Sequence, residues 1–241
     1  MNLLDFNLTS ALPAAPFREE GLQDPRTWPA SWSQIETKLT NCLDSVTLPR
    51  HDVAGVLSGC LAGRASRRDG GEQSWDVDRL GALLSNAVGV RTDRPDRLGD
   101  RRAYPSAGGR FPVEIYLAAD GLSDLANVFH YSVLDHELHG VRRFDDLPAL
   151  LKAAFGTEWV AASYGVVVLT AVIERSARKY GDRAYRYGLL ESGHLAQNLL
   201  LTAEAMGTGT TPVGGFADRV VTAMVGADGQ QEVVTYAVVL T

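Results

Sequence analysis

Apolar residues recur at helical spacing in several parts of this 241-residue chain. In the clearest case, Asp76 can cap a helix whose Leu80, Leu83, Leu84 and Val88 form one apolar stripe. The spacing predicts shorter helices over 31–46, 51–63, 76–90, 145–156 and 217–226, and one long helix-favouring segment over 174–206 that Gly207 closes.

Short runs of branched and aromatic residues predict the strands. The run 164–173 is almost entirely apolar, as expected for a strand at the centre of a sheet that is covered on both faces. Further strands are predicted over 112–119, as a hairpin within 127–141, as a short strand and glycine turn over 208–216, and over 232–240. Residues 91–104 are charged and predict a loop. The chain is therefore α+β, with a central mixed or antiparallel sheet flanked by long helices.

The N-terminal part differs from the rest. Residues 1–30 contain four prolines and little periodicity. We therefore expect residues 1–50 to be an arm with one helix that could wrap the remaining chain or a partner, and residues 51–241 to form one domain. We expect no secretory signal at the N-terminus, and no apolar run reaches membrane-spanning length. A cytoplasmic protein that does not engage a membrane is expected.

Composition and charge exclude several classes of function. The chain is 45% hydrophobic and 22% charged, which is ordinary for a globular protein. A net charge of −6 argues against binding to nucleic acid. The two cysteines form no CxxC motif, and the nearby His130, His136 and His139 lack a fourth ligand, so no metal site is predicted.

A basic cluster, "GRASRR" (63–68), follows the second predicted helix. Arg64, Ser66 and Arg68 alternate there, and forked guanidinium donors with a hydroxyl suit a phosphate group. On the residues alone, a solvated basic turn is the more common explanation for so short a motif.

Two glycine clusters stand next to predicted strands. In the first, Pro105, Ser106, Ala107, Gly108 and Gly109 present almost no side chain before a strand. Such a run indicates either close packing of a ligand on the backbone or a tight turn with a bulge. In the second, Gly214 and Gly215 follow a short strand. They could bring a backbone N–H to a ligand, or form a loop that needs positive φ.

The segment 174–206 changes character along its length. Its first half is charged and aromatic and includes Lys179 and Tyr180. Its second half, 193–206, is apolar around most of its circumference, so it must be buried in a domain core or at a subunit interface. A monomer that left it uncovered would expose an unusually large apolar patch, which predicts a homodimer.

Four motifs in this order, "RxSxR", "PSAGGRFPVEIYL", "KYGDRAYRYGLLESGHLAQNLLL" and "TPVGGF", resemble the nitroreductase superfamily. More narrowly, they are similar to the SagB-type dehydrogenases, which include FMN-dependent thiazoline and oxazoline oxidases. The resemblance covers roughly residues 60–240 and implies a nitroreductase-like fold with flavin at a homodimer interface.

The resemblance also implies roles for individual residues. Arg64, Ser66 and Arg68 would hold the phosphate and ribityl end of FMN. The first glycine cluster, from Pro105 through Ser106 and Ala107 to Gly108, would line the flavin ring from the other subunit. Gly214 and Gly215 would bring backbone N–H groups near the ring. One departure is that no basic patch follows the last predicted strand. FMN affinity is therefore expected to be lower, or Arg64 and Arg68 carry the phosphate alone.

Within that branch, Lys179 and Tyr180 occupy the position of a catalytic Lys-Tyr pair. The implied reaction removes a hydride and a proton from a peptide-derived heterocycle or C–N bond, as in azoline-to-azole oxidation, with O2 reoxidising the flavin. Lysine would be the base and tyrosine would relay the proton or orient the ring. Two alternatives stay open: an NAD(P)H-dependent nitroreductase or quinone reductase, and a flavin-free scaffold subunit of a biosynthetic complex. The expected partners are a second copy of the chain, a small-molecule or modified-peptide substrate, and an enzyme complex.

Overall fold

The computed structural model describes residues 55–96 and 99–241. Residues 1–54, and with them the predicted arm and its helix, lie outside the described residues. The helices are α1 (Val56–Gly63), α2 (Val77–Val88), α3 (Leu147–Phe155), α4 (Glu158–Ala161), α5 (Ile173–Tyr180), α6 (Arg183–Ala205) and α7 (Asp218–Val225). The strands are β1 (Val90–Asp96), β2 (Gly99–Arg102), β3 (Val113–Ala118), β4 (Val128–Ser132), β5 (Glu137–Arg142), β6 (Gly165–Val172), β7 (Thr210–Val213) and β8 (Glu232–Leu240).

A six-stranded antiparallel sheet, in the order β5-β4-β3-β6-β8-β7, forms the centre of the molecule. Residues 166–171 of β6 are completely buried, which confirms the predicted central strand. The helices α2 and α6 pack on one face of the sheet, and α3 and α7 pack on the other. The α+β fold predicted from the sequence is confirmed.

Local signals explain the ends of the helices. The Asp76 side chain accepts a hydrogen bond from the backbone N–H of Arg79 and so caps α2. Asp146 caps α3 in the same way, and Gly156 ends that helix in a left-handed conformation with φ 68°. A helix that was not predicted, α4, follows after two residues, Gly156 and Thr157.

The predicted loop over 91–104 is wrong, because β1 and β2 form a two-stranded sheet there. Val90 pairs with Arg102 and Arg91 with Arg101. The charged composition hid this hairpin, because hydrogen bonds between the two backbones hold it and no alternating apolar pattern is needed.

The predicted single helix over 174–206 is two helices, α5 and α6. Gly181 lies between them with φ 56° and ψ −139°, a conformation that is open to glycine and strained for other residues. The backbone turns at this glycine, so Lys179 and Tyr180 end one helix and do not begin the other.

Residues 193–206 do not need a second copy of the chain to bury them. Leu195, Leu199 and Leu200 of α6 are buried in the core of their own chain, against α2 and the sheet. The domain-core alternative therefore holds for this helix, and the prediction of a homodimer loses this support. No helix within the described ranges combines the length and the apolarity needed to cross a bilayer.

Candidate functional site

The small-residue turn, residues 105–109, lies immediately before β3. Its last three residues form a single 3-10 turn in which the Gly109 N–H donates to the Ser106 carbonyl at 3.1 Å. Gly108 and Gly109 have φ values of 61° and 63°, a region that favours glycine. The predicted alternative of a tight turn is correct, and a ligand packing on that turn is compatible with it.

The small-residue turn contacts the Lys-Tyr pair, Lys179 and Tyr180, within the same chain. A Cβ atom on Gly108 would lie 2.5 Å from the Tyr180 hydroxyl oxygen and 2.9 Å from Lys179 Nζ. No side chain fits there unless the pair moves. Two motifs that are 71 positions apart in the sequence are thus brought together, with the bare backbone of one against the polar tips of the other.

The Lys-Tyr pair is held at the end of α5 by aromatic contacts. The rings of Tyr180 and Tyr187 meet edge to face with centroids 5.0 Å apart. Lys179 Nζ lies 5.2 Å from the centroid of the Tyr180 ring. The lysine is exposed and the tyrosine half-buried, so both can reach a ligand that enters from solvent.

Phe111, just after the turn, is a strained residue. Its φ is 45°, which is unusual for a bulky side chain. Its N–H donates to Ser106 Oγ at 2.8 Å, and its carbonyl accepts from Arg175 at 3.2 Å. Its ring meets Tyr104 edge to face and lies 4.7 Å below the Arg102 guanidinium. Several neighbours therefore impose this conformation, as is typical of strain kept at a functional site.

A buried carboxyl, Glu191 of α6, lies beneath the turn. It is 2% exposed, and its Oε1 accepts from the Val113 N–H at 3.4 Å. Burial raises the pKa of Glu191 to about 7, while hydrogen bonds from Ser106 and from the Val113 backbone oppose the rise. The sequence analysis assigned it no role. A glutamate four positions before the buried Leu195 is the signal that could have drawn attention to it.

The arginine cluster, Arg64, Ser66 and Arg68, continues from the end of α1. The intervening Arg67 points inward and forms an ion pair with Glu204 of α6 at 3.2 Å. The Arg68 guanidinium lies 5.6 Å from the centre of the Trp159 ring. Arg64 is half-buried, whereas Ser66 and Arg68 are exposed. Arg67 and Trp159 are neighbours that the sequence analysis did not single out.

The second glycine cluster, Gly214 and Gly215, is joined to the arginine cluster through the backbone. The N–H of Arg67 donates to the Thr210 carbonyl at 3.1 Å, and the Thr211 hydroxyl donates to the Arg67 carbonyl at 2.7 Å. Gly214 lies one residue after β7, is exposed and does not have a positive φ. The interpretation of this glycine as a left-handed loop residue is therefore wrong.

The predicted site residues thus form two groups. The arginine cluster and the second glycine cluster lie at the β7 edge of the sheet, whereas the small-residue turn and the Lys-Tyr pair lie at the start of β3 and the end of β6. Within the sheet, the strands β6 and β8 lie between β3 and the edge strand β7.

The histidines have ordinary partners in the structure. His130 pairs with Glu114 at 2.7 Å, and His136 Nδ1 lies 2.7 Å from the Tyr131 hydroxyl. Over the part of the chain that the structure describes, no three His, Cys, Asp or Glu side chains are grouped as a metal site would require.

Comparison with known proteins decides the family. The profile described as "Nitroreductase family" matches residues 61–240. This chain belongs to the nitroreductase family. The fold and the superfamily expected from the four sequence motifs are confirmed.

Several curated proteins are similar to this family member. An archaeal protein named as a nitroreductase, MJ1384 of Methanocaldococcus jannaschii, is 32% identical over 180 residues, covering 73% of this chain and 87% of that protein. The microcin B17-processing protein McbC of Escherichia coli is 29% identical over 145 residues, covering 58% of this chain and 52% of McbC. The trifolitoxin-processing protein TfxB of Rhizobium leguminosarum is 30% identical over 135 residues, covering 52% of this chain and 36% of TfxB.

Solved structures agree on the fold. The E. coli microcin synthetase McbBCD complex with truncated pro-MccB17 contains a chain that superposes with a TM-score of 0.67 at 20% identity, covering 99% of this chain and 86% of that one. A nitroreductase-like protein of Exiguobacterium sibiricum, solved in complex with FMN, superposes with a TM-score of 0.53 at 14% identity and covers 78% of this chain and 88% of that one.

Proposed function

We propose that this chain is an FMN-dependent oxidoreductase of the SagB type that oxidises a peptide-derived heterocycle or C–N bond, azoline to azole, in a biosynthetic pathway. The observation that carries the proposal is the contact of Gly108 with Lys179 and Tyr180. It places a bare backbone, a lysine amine and a phenol at one point, which is what a flat redox cofactor and a proton-losing substrate require together.

The residues present fit FMN. The small-residue turn offers backbone without large side chains beside the Lys-Tyr pair. At Gly109 an added Cβ would meet no atom closer than Arg101 Nη1 at 3.6 Å, so a flat ring can approach the backbone there. Arg64 and Arg68 offer guanidinium groups for the phosphate, with the Ser66 hydroxyl between them. The exposed Gly214 leaves its backbone free to approach the ring.

A homodimer would combine the two groups of residues into one site. The turn and the Lys-Tyr pair of one copy would meet the arginine and second glycine clusters of the other. The separation of the small-residue turn from the β7 edge by two strands within one chain supports this arrangement. It does not depend on α6, whose apolar face is used inside the chain.

Bound FMN supplies the acceptor for a hydride. The chain supplies the rest. Lys179 is positioned to take the proton that the substrate loses, and Tyr180 to orient the substrate ring or pass that proton on. The exposed lysine side chain can exchange the proton with solvent, so no buried exit path is needed.

Phosphate recognition is tested by flavin content after gel filtration. The double variant Arg64→Ala, Arg68→Ala should lose most of its FMN, since each charge-assisted contact contributes about 1.5–3 kcal/mol. The control Arg143→Ala removes one positive charge from an exposed position just after β5 and should keep its flavin. Unchanged flavin stoichiometry in the double variant would contradict the assignment.

The catalytic role of the Lys-Tyr pair is tested by anaerobic bleaching of the flavin absorbance at about 450 nm, where oxidised flavin absorbs. Lys179→Ala and Tyr180→Phe should retain flavin while the substrate bleaches it ~100- to 10,000-fold more slowly. Bleaching at the wild-type rate in both variants would refute the role. Loss of flavin would move the pair from catalysis to binding.

A second candidate is an NAD(P)H-dependent nitroreductase or quinone reductase. The similarity to MJ1384 favours it, because that relative is named as a nitroreductase. Steady turnover of NAD(P)H with a nitroaromatic or quinone acceptor, unaffected by Lys179→Ala, would support this activity over the oxidation of a heterocycle.

A further inference from the structure

The buried carboxyl of Glu191 has no part in the proposed reaction, yet it lies in the middle of the supports of the small-residue turn. One of its oxygens accepts from the Val113 N–H, and the Ser106 side chain is near enough to oppose the rise in the pKa of this carboxyl. Its other oxygen, Oε2, is buried without a hydrogen-bond partner among the described residues. Burying a carboxyl so incompletely paired is costly, which calls for a reason beyond packing.

The Ser106 side chain connects the strained residue to the neighbourhood of this carboxyl. Its hydroxyl is near enough to Glu191 to oppose the rise in the carboxyl's pKa, and its oxygen accepts from the Phe111 N–H at 2.8 Å. Phe111, just after the turn, is the bulky residue with φ 45°. The Ser106 carbonyl accepts from the Gly109 N–H, so one serine is bonded both to the last residue of the turn and to Phe111 beyond it.

The surroundings of Glu191 keep its proton available near neutral pH. Burial raises its pKa to about 7, and the guanidinium groups of Arg102 on β2 and Arg175 on α5 limit the rise. Tyr104, which also lies close, has a pKa raised to about 12 by burial and so stays neutral. The ionised carboxylate is the stronger acceptor for the Ser106 hydroxyl.

We propose that Glu191 is a positioning residue, whose buried carboxylate acts through the Ser106 hydroxyl to hold the small-residue turn in the shape that receives the ligand. When Glu191 is protonated, the bond to Ser106 weakens, and the strained Phe111 and the turn lose part of their support. The inference rests on the proposed function only for the identity of the ligand, FMN.

The link through Ser106 is tested without flavin, by following backbone amide signals of the apo protein by NMR from about pH 5 to about 9, a range that brackets the raised pKa. In the wild type, the amides of Val113 and Phe111 should titrate together with a midpoint near the value of about 7. In Glu191→Gln both should be flat. In Ser106→Ala the Val113 amide should still titrate, because it contacts the carboxyl directly, whereas the Phe111 amide should not.

Two results would overturn the link. One is a Phe111 amide that titrates equally in the wild type and in Ser106→Ala, because the signal would then bypass the serine. The other is a wild type in which neither amide moves. The control Glu204→Gln changes a glutamate of the same helix that pairs with Arg67, and it should leave both titrations unchanged.

The expected effect on FMN affinity is tested by the quenching of FMN fluorescence on binding. The wild type and Glu191→Gln are compared at each pH, so that titration of the FMN phosphate affects both equally. At pH 8 the variant should bind about five- to tenfold more weakly, the difference between a charged and a neutral acceptor. At pH 5.5 the ratio should approach one. A ratio that does not depend on pH would refute the positioning role. A wild type that binds no FMN would refute the proposed function, and the amide titration would then decide whether Glu191 acts through Ser106.

Discussion

At the scale of single residues, a substitution at Gly108 is the sharpest test of the proposed site. Its φ of 61° and its contacts with Lys179 and Tyr180 each exclude a side chain. We expect Gly108→Ala to destabilise the protein by at least roughly 1–2 kcal/mol from the backbone alone. It should also displace the Lys-Tyr pair and weaken flavin binding. Chemical denaturation and flavin titration measure the two effects.

A matched control is Gly193→Ala. Gly193 lies inside α6 at an exposed position, and a Cβ there would meet nothing within 4 Å. This variant should gain about 0.5–1 kcal/mol of stability and leave flavin binding unchanged. If the two glycine variants behave alike, the contact at position 108 has no special role.

Glu191 should make folding stability depend on pH in a defined direction. Its pKa is raised from 4.5 in the unfolded chain to about 7 in the folded protein, so the folded state binds more protons between those values. The free energy of unfolding therefore falls as pH rises through this range. Above it, the loss contributed by this group is on the order of 3 kcal/mol.

Denaturant unfolding of the wild type and Glu191→Gln at pH 5 and pH 8 measures this contribution. The stability of the variant relative to the wild type should increase from pH 5 to pH 8, because the glutamine cannot ionise. A relative stability that is constant over this range would show that Glu191 is not the group that titrates.

At this scale, the sequence identified the candidate residues that belong to conspicuous local patterns and missed those that only the tertiary structure makes unusual. A run of residues without side chains is conspicuous, and Gly108 was singled out from it. The alternation of Arg64, Ser66 and Arg68 also marked a candidate, but the inward turn of Arg67 toward Glu204 needs the tertiary structure. Glu191 escaped notice because a glutamate in a helix is usually solvated, and only burial by distant segments gives it a raised pKa.

At the scale of secondary structure, the break between α5 and α6 fixes where the Lys-Tyr pair stands. Gly181 has φ 56° and ψ −139°, and a Cβ there would meet nothing within 4 Å. Gly181→Ala therefore tests backbone strain without a steric clash. We expect a loss of stability of roughly 1–3 kcal/mol and slower flavin reduction, because α5 would carry Lys179 away from the turn.

The measurements for Gly181→Ala are thermal or denaturant unfolding and the rate of anaerobic bleaching. Gly59→Ala in α1 is the control, since a Cβ there also meets nothing within 4 Å and its φ is ordinary. A Gly181 variant as stable and as active as this control would show that the break can be straightened without cost.

The helices and strands that bury a regular apolar pattern were the easiest to predict from the sequence. Strand β6 and helix α2 follow from periodicity because each buries a continuous apolar surface. The β1–β2 hairpin was missed because backbone hydrogen bonds define it. The break at Gly181 was missed because helical residues surround it on both sides, and one glycine does not reveal its φ.

At the scale of the whole molecule, the four sequence motifs, taken in their order along the chain, were sufficient to identify the family. The way in which they meet was not predictable in full. The Lys-Tyr pair and the small-residue turn meet within one chain beside the central strands β3 and β6, while the arginine and second glycine clusters meet at the β7 edge of the sheet. Joining the two groups into one site would require a second copy of the chain. Because the apolar face of α6 is buried within its own chain, that copy would have to contact other surfaces.

The central claim, that two copies build one flavin site, is tested most directly by a defined heterodimer. One copy carries Arg64→Ala and Arg68→Ala, the other carries Ala107→Trp, and different affinity tags allow the mixed pair to be isolated. Each variant alone should retain no FMN. In the mixed dimer one of the two sites combines the two intact halves, so about half of the wild-type flavin per chain should return. A purified heterodimer that holds no FMN would contradict the account.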